Sequence, residues 1–242
     1  MPFSNKILLL ISISLMLIPL ASAYSVKIDI LESFEGEPVF FMANISENLV
    51  EFTTEFYNKG SVPYKARARI DIFDNNSLIF SGWSKEKPLM TGNRDIFRIF
   101  WYSENAGNFT ALLRVYFGNE IFTYDSINVT INKTSVAEDA IEISVSEMSY
   151  SDIKFNIESK SKETVLIPYE YPTGWMFEQA ISDNKEVIIN YEPSLWLPRS
   201  VSVYAVSSDG KYYGKEKFML DVEENPYDAI IGIFALIFRI LL

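Results

Sequence analysis

Along the middle of this chain apolar and polar residues alternate with a period of two, the spacing of strands that bury one face and wet the other. Over Tyr64 to Ile72, the residues Tyr64, Ala66, Ala68, Ile70 and Ile72 alternate with Lys65, Arg67, Arg69 and Asp71. Just upstream, Val50, Phe52, Thr54 and Phe56 alternate with Glu51, Thr53 and Glu55. Between the two runs Asn58-Lys59-Gly60-Ser61, with Pro63 behind it, supplies turn chemistry. The spacing predicts an antiparallel hairpin with Phe56 opposite Tyr64, which sets Glu55 across from Lys65 and Glu51 across from Arg69. Exposed pairs of this kind are worth ~0.2–1 kcal/mol each, enough to fix register but not to hold a fold.

The same arrangement occurs twice. Phe109, Ala111, Leu113, Val115 and Phe117 alternate up to Gly118-Asn119, a dipeptide suited to a tight turn, and a returning strand is expected from Ile121 to Ile131. Further on, Val201, Val203 and Ala205 alternate, Ser207-Ser208-Asp209-Gly210 turns, and a second returning strand is expected from about Tyr212 to Val222. A terminal hairpin recurring at roughly the ~100-residue size of an immunoglobulin-type domain predicts an all-β chain of two tandem immunoglobulin-like β-sandwich domains. The first is expected over 24–132 and the second over 140–222, joined by a linker over 133–139.

Both ends of the chain are apolar. Lys6, the run Ile7 to Leu20 and the small residues Ala21-Ser22-Ala23 read as a signal peptide over 1–23, with export across a membrane as the consequence. At the other end, a juxtamembrane linker over 223–228 leads into Ala229–Leu242, broken only by Gly232 and Arg239. This is expected to be a hydrophobic membrane helix. Its fourteen residues would span about 21 Å, short of the ~30 Å hydrocarbon core, so Tyr227 and a snorkelling Arg239 are needed at the two interfaces. The expected location is the extracytoplasmic face of the cell membrane, held by a single C-terminal anchor.

Composition narrows the chemistry. A net charge of -11 without clustered Lys or Arg opposes a nucleic-acid partner. The chain has no Cys, so no disulfide holds it, and no His, which removes the Ser-His-Asp and Cys-His nucleophile systems and nearly all zinc sites. Asp71, Asp74, Asn75 and Asn76 bunch oxygen ligands but lack the Gly and late Glu of a calcium loop, so turn chemistry is the expected role. Glu178, Glu186 and Glu192, the carboxylates available for glycoside hydrolysis, have no spacing that requires it, and solvated charge is expected.

The run Glu55-Phe56-Tyr57-Asn58-Lys59-Gly60-Ser61, then Ala66 to Asp71, Phe97 to Tyr102 and Ala106-Gly107-Asn108-Phe109-Thr110, resembles CARDB-type sandwich modules of archaeal and bacterial exported proteins. The resemblance covers mainly Val50 to Ile131. It implies a non-catalytic scaffold associated with cell adhesion and carries over no catalytic residue, cofactor or metal.

Two sets of residues remain as candidate sites. Asn44, Asn75, Asn108, Asn128 and Asn132 each begin an N-x-[ST] sequon, and all are candidate glycosylation sites in the first half of the chain. Aromatic residues are 15% of the chain, and most, Trp101, Tyr102, Tyr212 and Tyr213 included, are expected to pack inside. Trp83 and Trp175, beside Gly82 and Gly174, and Trp196, between Pro193 and Pro198, are the candidates for ligand contact. The expected function is therefore a non-enzymatic, membrane-anchored surface protein acting in envelope interaction, adhesion or structure, with other envelope proteins or glycans as partners. A carbohydrate-binding module using exposed aromatics is the alternative, and a carboxylate-dependent glycoside hydrolase a further one.

Overall fold

The computed structural model describes residues 32–132, 141–149, 151–159, 161, 163–170, 176–183, 185–192 and 200–219. The expected signal peptide, the 133–139 linker and the C-terminal tail lie outside these residues. All regular structure among the described residues is β, and no helix there is long and apolar enough to cross a membrane.

The first half contains β1 (Gly36–Ser46), β2 (Leu49–Asn58), β3 (Tyr64–Asp74), β4 (Ser77–Trp83), β5 (Lys87–Leu89), β6 (Arg94–Tyr102), β7 (Gly107–Phe117), β8 (Glu120–Thr123) and β9 (Ile127–Ile131). One sheet has the order β1-β2-β6 and the other β4-β3-β7-β8, with β5 pairing β3 and β9 pairing β7. The second half contains β10 (Ile141–Met148), β11 (Asp152–Ser159), β12 (Thr164–Glu170), β13 (Met176–Phe177), β14 (Ala180–Ser182), β15 (Glu186–Glu192), β16 (Ser200–Ser207) and β17 (Tyr213–Met219). Its sheets are β10-β11-β15-β13 and β14-β12-β16-β17. With the short β5 and β13 set aside, both halves place their first, second and fifth strands in one sheet and their fourth, third, sixth and seventh in the other. That connectivity, with an added strand on the third, is immunoglobulin-like.

Alternation explains the first core. Val50, Phe52 and Phe56 of β2 and Phe97, Ile99 and Trp101 of β6 face Ala66, Ala68, Ile70 and Ile72 of β3 and Leu113 and Val115 of β7. The expected turn at Gly118 forms with φ +52°, in the left-handed region that glycine adopts without steric cost. The returning strand is split into β8 and β9 by 124–126. There Tyr124 donates its hydroxyl to the Phe40 carbonyl at 3.0 Å and so ties this edge to the opposite sheet.

The expected β2–β3 hairpin does not form. Strand β2 pairs with β1 and β6, and β3 pairs with β4, β5 and β7, so the connection is an arch between sheets. Glu51 lies opposite Phe100 and forms its ion pair with Arg98 at 3.4 Å, while Glu55 is 3.9 Å from Arg94. Neither faces its expected partner. The cause is Asn58, fully buried, whose amide donates to the Val62 and Leu89 carbonyls at 3.0 and 2.9 Å and accepts from the Gly60 N–H at 2.8 Å. Such a buried amide stabilises an arch pinned to β5, where a hairpin would leave it unpaired. Alternation survives because both strands still line one interior. Phe56 and Tyr64, from opposite sheets, each pack on Phe117, with centroids 5.0 and 5.2 Å away.

The hairpin β16–β17 forms as expected around Ser207 to Gly210. Its sheet departs from simple alternation. Leu166, Val201, Val203 and Ala205 point into the second core, whereas Val165, Ile167, Tyr204, Val206 and Tyr213 join the first. The sheet β14-β12-β16-β17 is thus apolar on both faces, which is why Val165-Leu166-Ile167 is a continuous apolar run. It lies against β4 and β6, the strands at one side of the first pair of sheets. The described residues from Ser33 onward gather into one unit.

Candidate functional site

Polar and aromatic groups concentrate where the doubly buried sheet meets the first half. The Trp101 indole donates to the Tyr169 hydroxyl at 2.6 Å, and that hydroxyl donates to the Tyr102 carbonyl at 3.1 Å. Tyr169 also packs on Phe80 and Tyr204, at centroid distances of 4.5 and 5.1 Å, and Tyr102 on Tyr213 at 4.9 Å. Beside it the Gln179 side chain accepts from the Phe100 N–H at 2.5 Å and donates to the Phe100 carbonyl at 2.7 Å. One amide thereby does for the outer edge of β6 what a neighbouring strand would do. A parallel bridge from Glu178 to Trp83 treats β4 similarly.

A charged group completes the joint. Tyr204 donates to Glu104 at 2.5 Å and the Lys215 ammonium lies 2.9 Å from the same oxygen, 4.8 Å from the centre of the Tyr204 ring. The hydrogen bond from Tyr204 holds the Glu104 carboxyl below its ordinary range, against its partial burial and with help from Lys215. Burial first, then the Glu104 bond, lifts the Tyr204 phenol to about 12. Burial opposes the charge on Lys215, but the bonds to Tyr204 and Glu104 together outweigh it and raise that ammonium to about 12. Burial likewise pushes the Tyr169 phenol well up. Every one of these groups is therefore locked in its neutral-pH form and suited to holding a geometry.

The joint encloses an open cleft of about 620 Å³, bordered by Asp74, Asn75, Glu104, Asn108, Tyr169 and Tyr204 among others. Its volume falls within the roughly 300–1,000 Å³ of small-ligand sites. Amide, hydroxyl and carboxylate groups around aromatic rings suit a ligand with both polar and apolar faces.

All five sequon asparagines are exposed. Asn75 occupies the β3–β4 turn with φ +46°, Asn108 is the second residue of β7, Asn128 lies on β9 with Asn132 just beyond it, and Asn44 lies on β1. Four of the five therefore stand at one end of the six-stranded sheet, the end bearing the cleft. Trp83 is half-buried, packed by Tyr116 at 5.0 Å and by the guanidinium groups of Arg67 and Arg69 at 4.9 and 5.4 Å. Trp175 and Trp196 lie outside the described residues. Trp101, Tyr102 and Tyr213 are buried, whereas Tyr212, expected inside, is 45% exposed.

Asp71 is buried and spoken for: it is ion-paired to Arg69 at 2.7 Å and to Arg114, and accepts from Ser81. Among the described residues no three acids gather to hold a metal. Glu178 accepts from Asn190 at 3.3 Å and Glu186 pairs with Lys154 at 2.8 Å. Sequence reasoning read Asn58 only as a turn residue and missed Glu104, Tyr169 and Gln179. The unbroken apolar run of β12 is the sequence signal that could have led to this joint.

No family model and no curated protein matches the chain. Among solved structures it is similar to a transglutaminase of red sea bream, with a TM-score of 0.26 at 9% identity over 82% of this chain and 32% of that one. It is also similar to a two-domain fibronectin type-III segment of chicken tenascin, with a TM-score of 0.25 at 11% identity over 76% of this chain and 98% of the segment. The chain thus spans about a third of the transglutaminase.

Proposed function

We propose that this chain is a non-catalytic, exported surface protein of the cell envelope, a stiff pair of CARDB-like, immunoglobulin-like domains that presents its faces to other envelope proteins or glycans. The domains are 24–132 and 140–222, the 1–23 segment directs export, and the 229–242 tail anchors the chain at the outer membrane face. One observation carries the reading: a sheet apolar on both faces joins the two halves, and the ionisable groups of the joint are spent on each other. Such a body transmits position, as a spacer or adhesive scaffold must. Exposed β edges and the faces away from the joint are the contact surfaces.

Protease shaving of intact cells, with fractionation, tests the location. The expected result is a chain lacking its first 23 residues, in the membrane fraction and cleaved from outside. A full-length chain in the soluble cytoplasm overturns the proposal. Small-angle scattering of the 24–222 portion tests the stiffness, and a profile that requires two independently moving bodies counts against it.

A further inference from the structure

We propose that Asn108 carries an N-linked glycan whose first sugars occupy the cleft between the two halves. The inference rests on the export reading above. Three features of the site single out this asparagine. It opens Asn108-Phe109-Thr110 on an exposed strand start, and it borders the 620 Å³ cleft. Its side-chain oxygen accepts from the Thr130 hydroxyl at 2.8 Å, which leaves the amide nitrogen outside that bond. The other sequon asparagine at the cleft, Asn75, instead donates its amide nitrogen to Asp74 at 2.9 Å.

The β7–β9 register adds a restriction. Asn108 lies opposite Thr130, and Thr110 opposite Asn128, so two sequons run antiparallel on one face of the sheet. Their asparagines are diagonal neighbours at the ~7–8 Å of such positions, too close for two bulky chains to leave side by side. The Thr130 hydroxyl that the Asn128 sequon needs is already committed to Asn108. Modification at Asn108 therefore excludes Asn128.

The reaction is a substitution at carbon. The Asn108 amide nitrogen bonds to the anomeric carbon of a saccharide carried on a lipid phosphate, the bond from that carbon to the phosphate oxygen breaks, and the phosphate leaves with the electron pair while the amide loses one proton. Once attached, the sugars meet the exposed polar groups of Asp74, Glu104 and Asn105 along the cleft, a lining that offers hydrogen bonds.

Two variants test this in the protein's own cells. Thr110→Ala removes the sequon but keeps Asn108 and its bond to Thr130, and Thr110→Ser keeps the sequon. Glycopeptide mapping is expected to find Asn108 modified and Asn128 bare in the native and Ser forms, with Asn108 bare in the Ala form. Hydrogen exchange over 103–108 is expected to quicken several-fold in the Ala form and after enzymatic removal of the glycan. A processed, membrane-bound chain with Asn108 bare overturns this inference and leaves the export reading standing. Unprocessed cytosolic chain overturns both. Modification at Asn108 without any change in exchange shows a glycan pointing to solvent and overturns the cleft assignment.

Discussion

Replacing Tyr169 by Phe tests the joint with one atom. The hydroxyl accepts from the buried Trp101 indole at 2.6 Å and donates to the Tyr102 carbonyl at 3.1 Å, so its loss removes two hydrogen bonds and strands a donor on a side chain that is 1% exposed. Each bond is worth ~0.5–1.5 kcal/mol net, and an unpaired buried group costs ~1–3 kcal/mol. The Phe ring preserves the packing on Phe80 and Tyr204. Because the carbonyl retains a second lone pair and part of the loss is shared, the expected cost is about 2–3 kcal/mol. For a folded unit of this size that is a fall in Tm of roughly 4–12 °C, read by calorimetry or by tryptophan fluorescence in urea. A cycle with Trp101→Phe sharpens the test, since the double variant leaves no orphaned indole donor and is expected to be less damaging than the sum of the singles. A Tyr169→Phe loss below ~0.5 kcal/mol, or strict additivity in the cycle, would refute the role assigned to this hydroxyl.

Two further outcomes follow from the same joint. Gly210 has φ +73° and a Cβ there would sit 2.1 Å from the Ser46 carbonyl, whereas Gly92 has φ +78° with nothing within 4 Å. Both Ala variants carry the ~1–2 kcal/mol of left-handed strain, so Gly210→Ala is expected to lower the urea midpoint clearly more than Gly92→Ala, and equal midpoints would deny the contact between the halves. As for pH, Glu104 titrates below its ordinary 4.5 in the folded chain, so its stabilisation is complete above 4.5 and fades as pH falls below it. Tyr204 and Lys215 are raised from 10.0 and 10.5 to about 12, so what they contribute is intact below pH 10 and is lost as pH climbs toward 12. A thermal midpoint followed across pH should drop at both limbs, and Glu104→Gln should flatten the acid one.

Strand content and the two terminal hairpins were legible because each rests on local pattern: period-two burial in β3 and β7, and glycines 118 and 210 at turns that need positive φ. The sheet assignment of β2 was not. A five-residue segment between two half-buried strands has the same composition whether it closes a hairpin or arches between sheets, since both place apolar residues on one interior. What decides is Asn58 reaching the Leu89 carbonyl, a partner thirty-one residues away. The joint was hidden for a related reason. Gln179, Glu104 and Lys215 are ordinary surface residues by type, and their roles arise only when β12 is laid against β4 and β6. The sequons, being contiguous triplets, were visible at once, but the gathering of four of them at one sheet end depends on the pairing of β7 with both β3 and β9.

The way the two halves meet also answers a problem that every open sandwich has. Strands β4 and β6 end their sheets, and an uncovered edge offers free N–H and C=O groups to any other chain. Here Gln179 binds both backbone groups of Phe100 on β6, Glu178 bridges to Trp83 on β4, and Val165, Ile167 and Tyr204 close the apolar gap between the two sheets. The first half is thus finished by the second. The second in turn gives Val165, Ile167, Tyr204, Val206 and Tyr213 to the contact, so separating them would expose large side chains on both sides at once. Burial at about 25 cal/mol per Å² makes each such side chain worth ~1.5–3 kcal/mol, and several act together. The proposed stiffness of this joint therefore goes with how the edges of β4 and β6 are covered, since the same packing closes those edges and holds the two halves together.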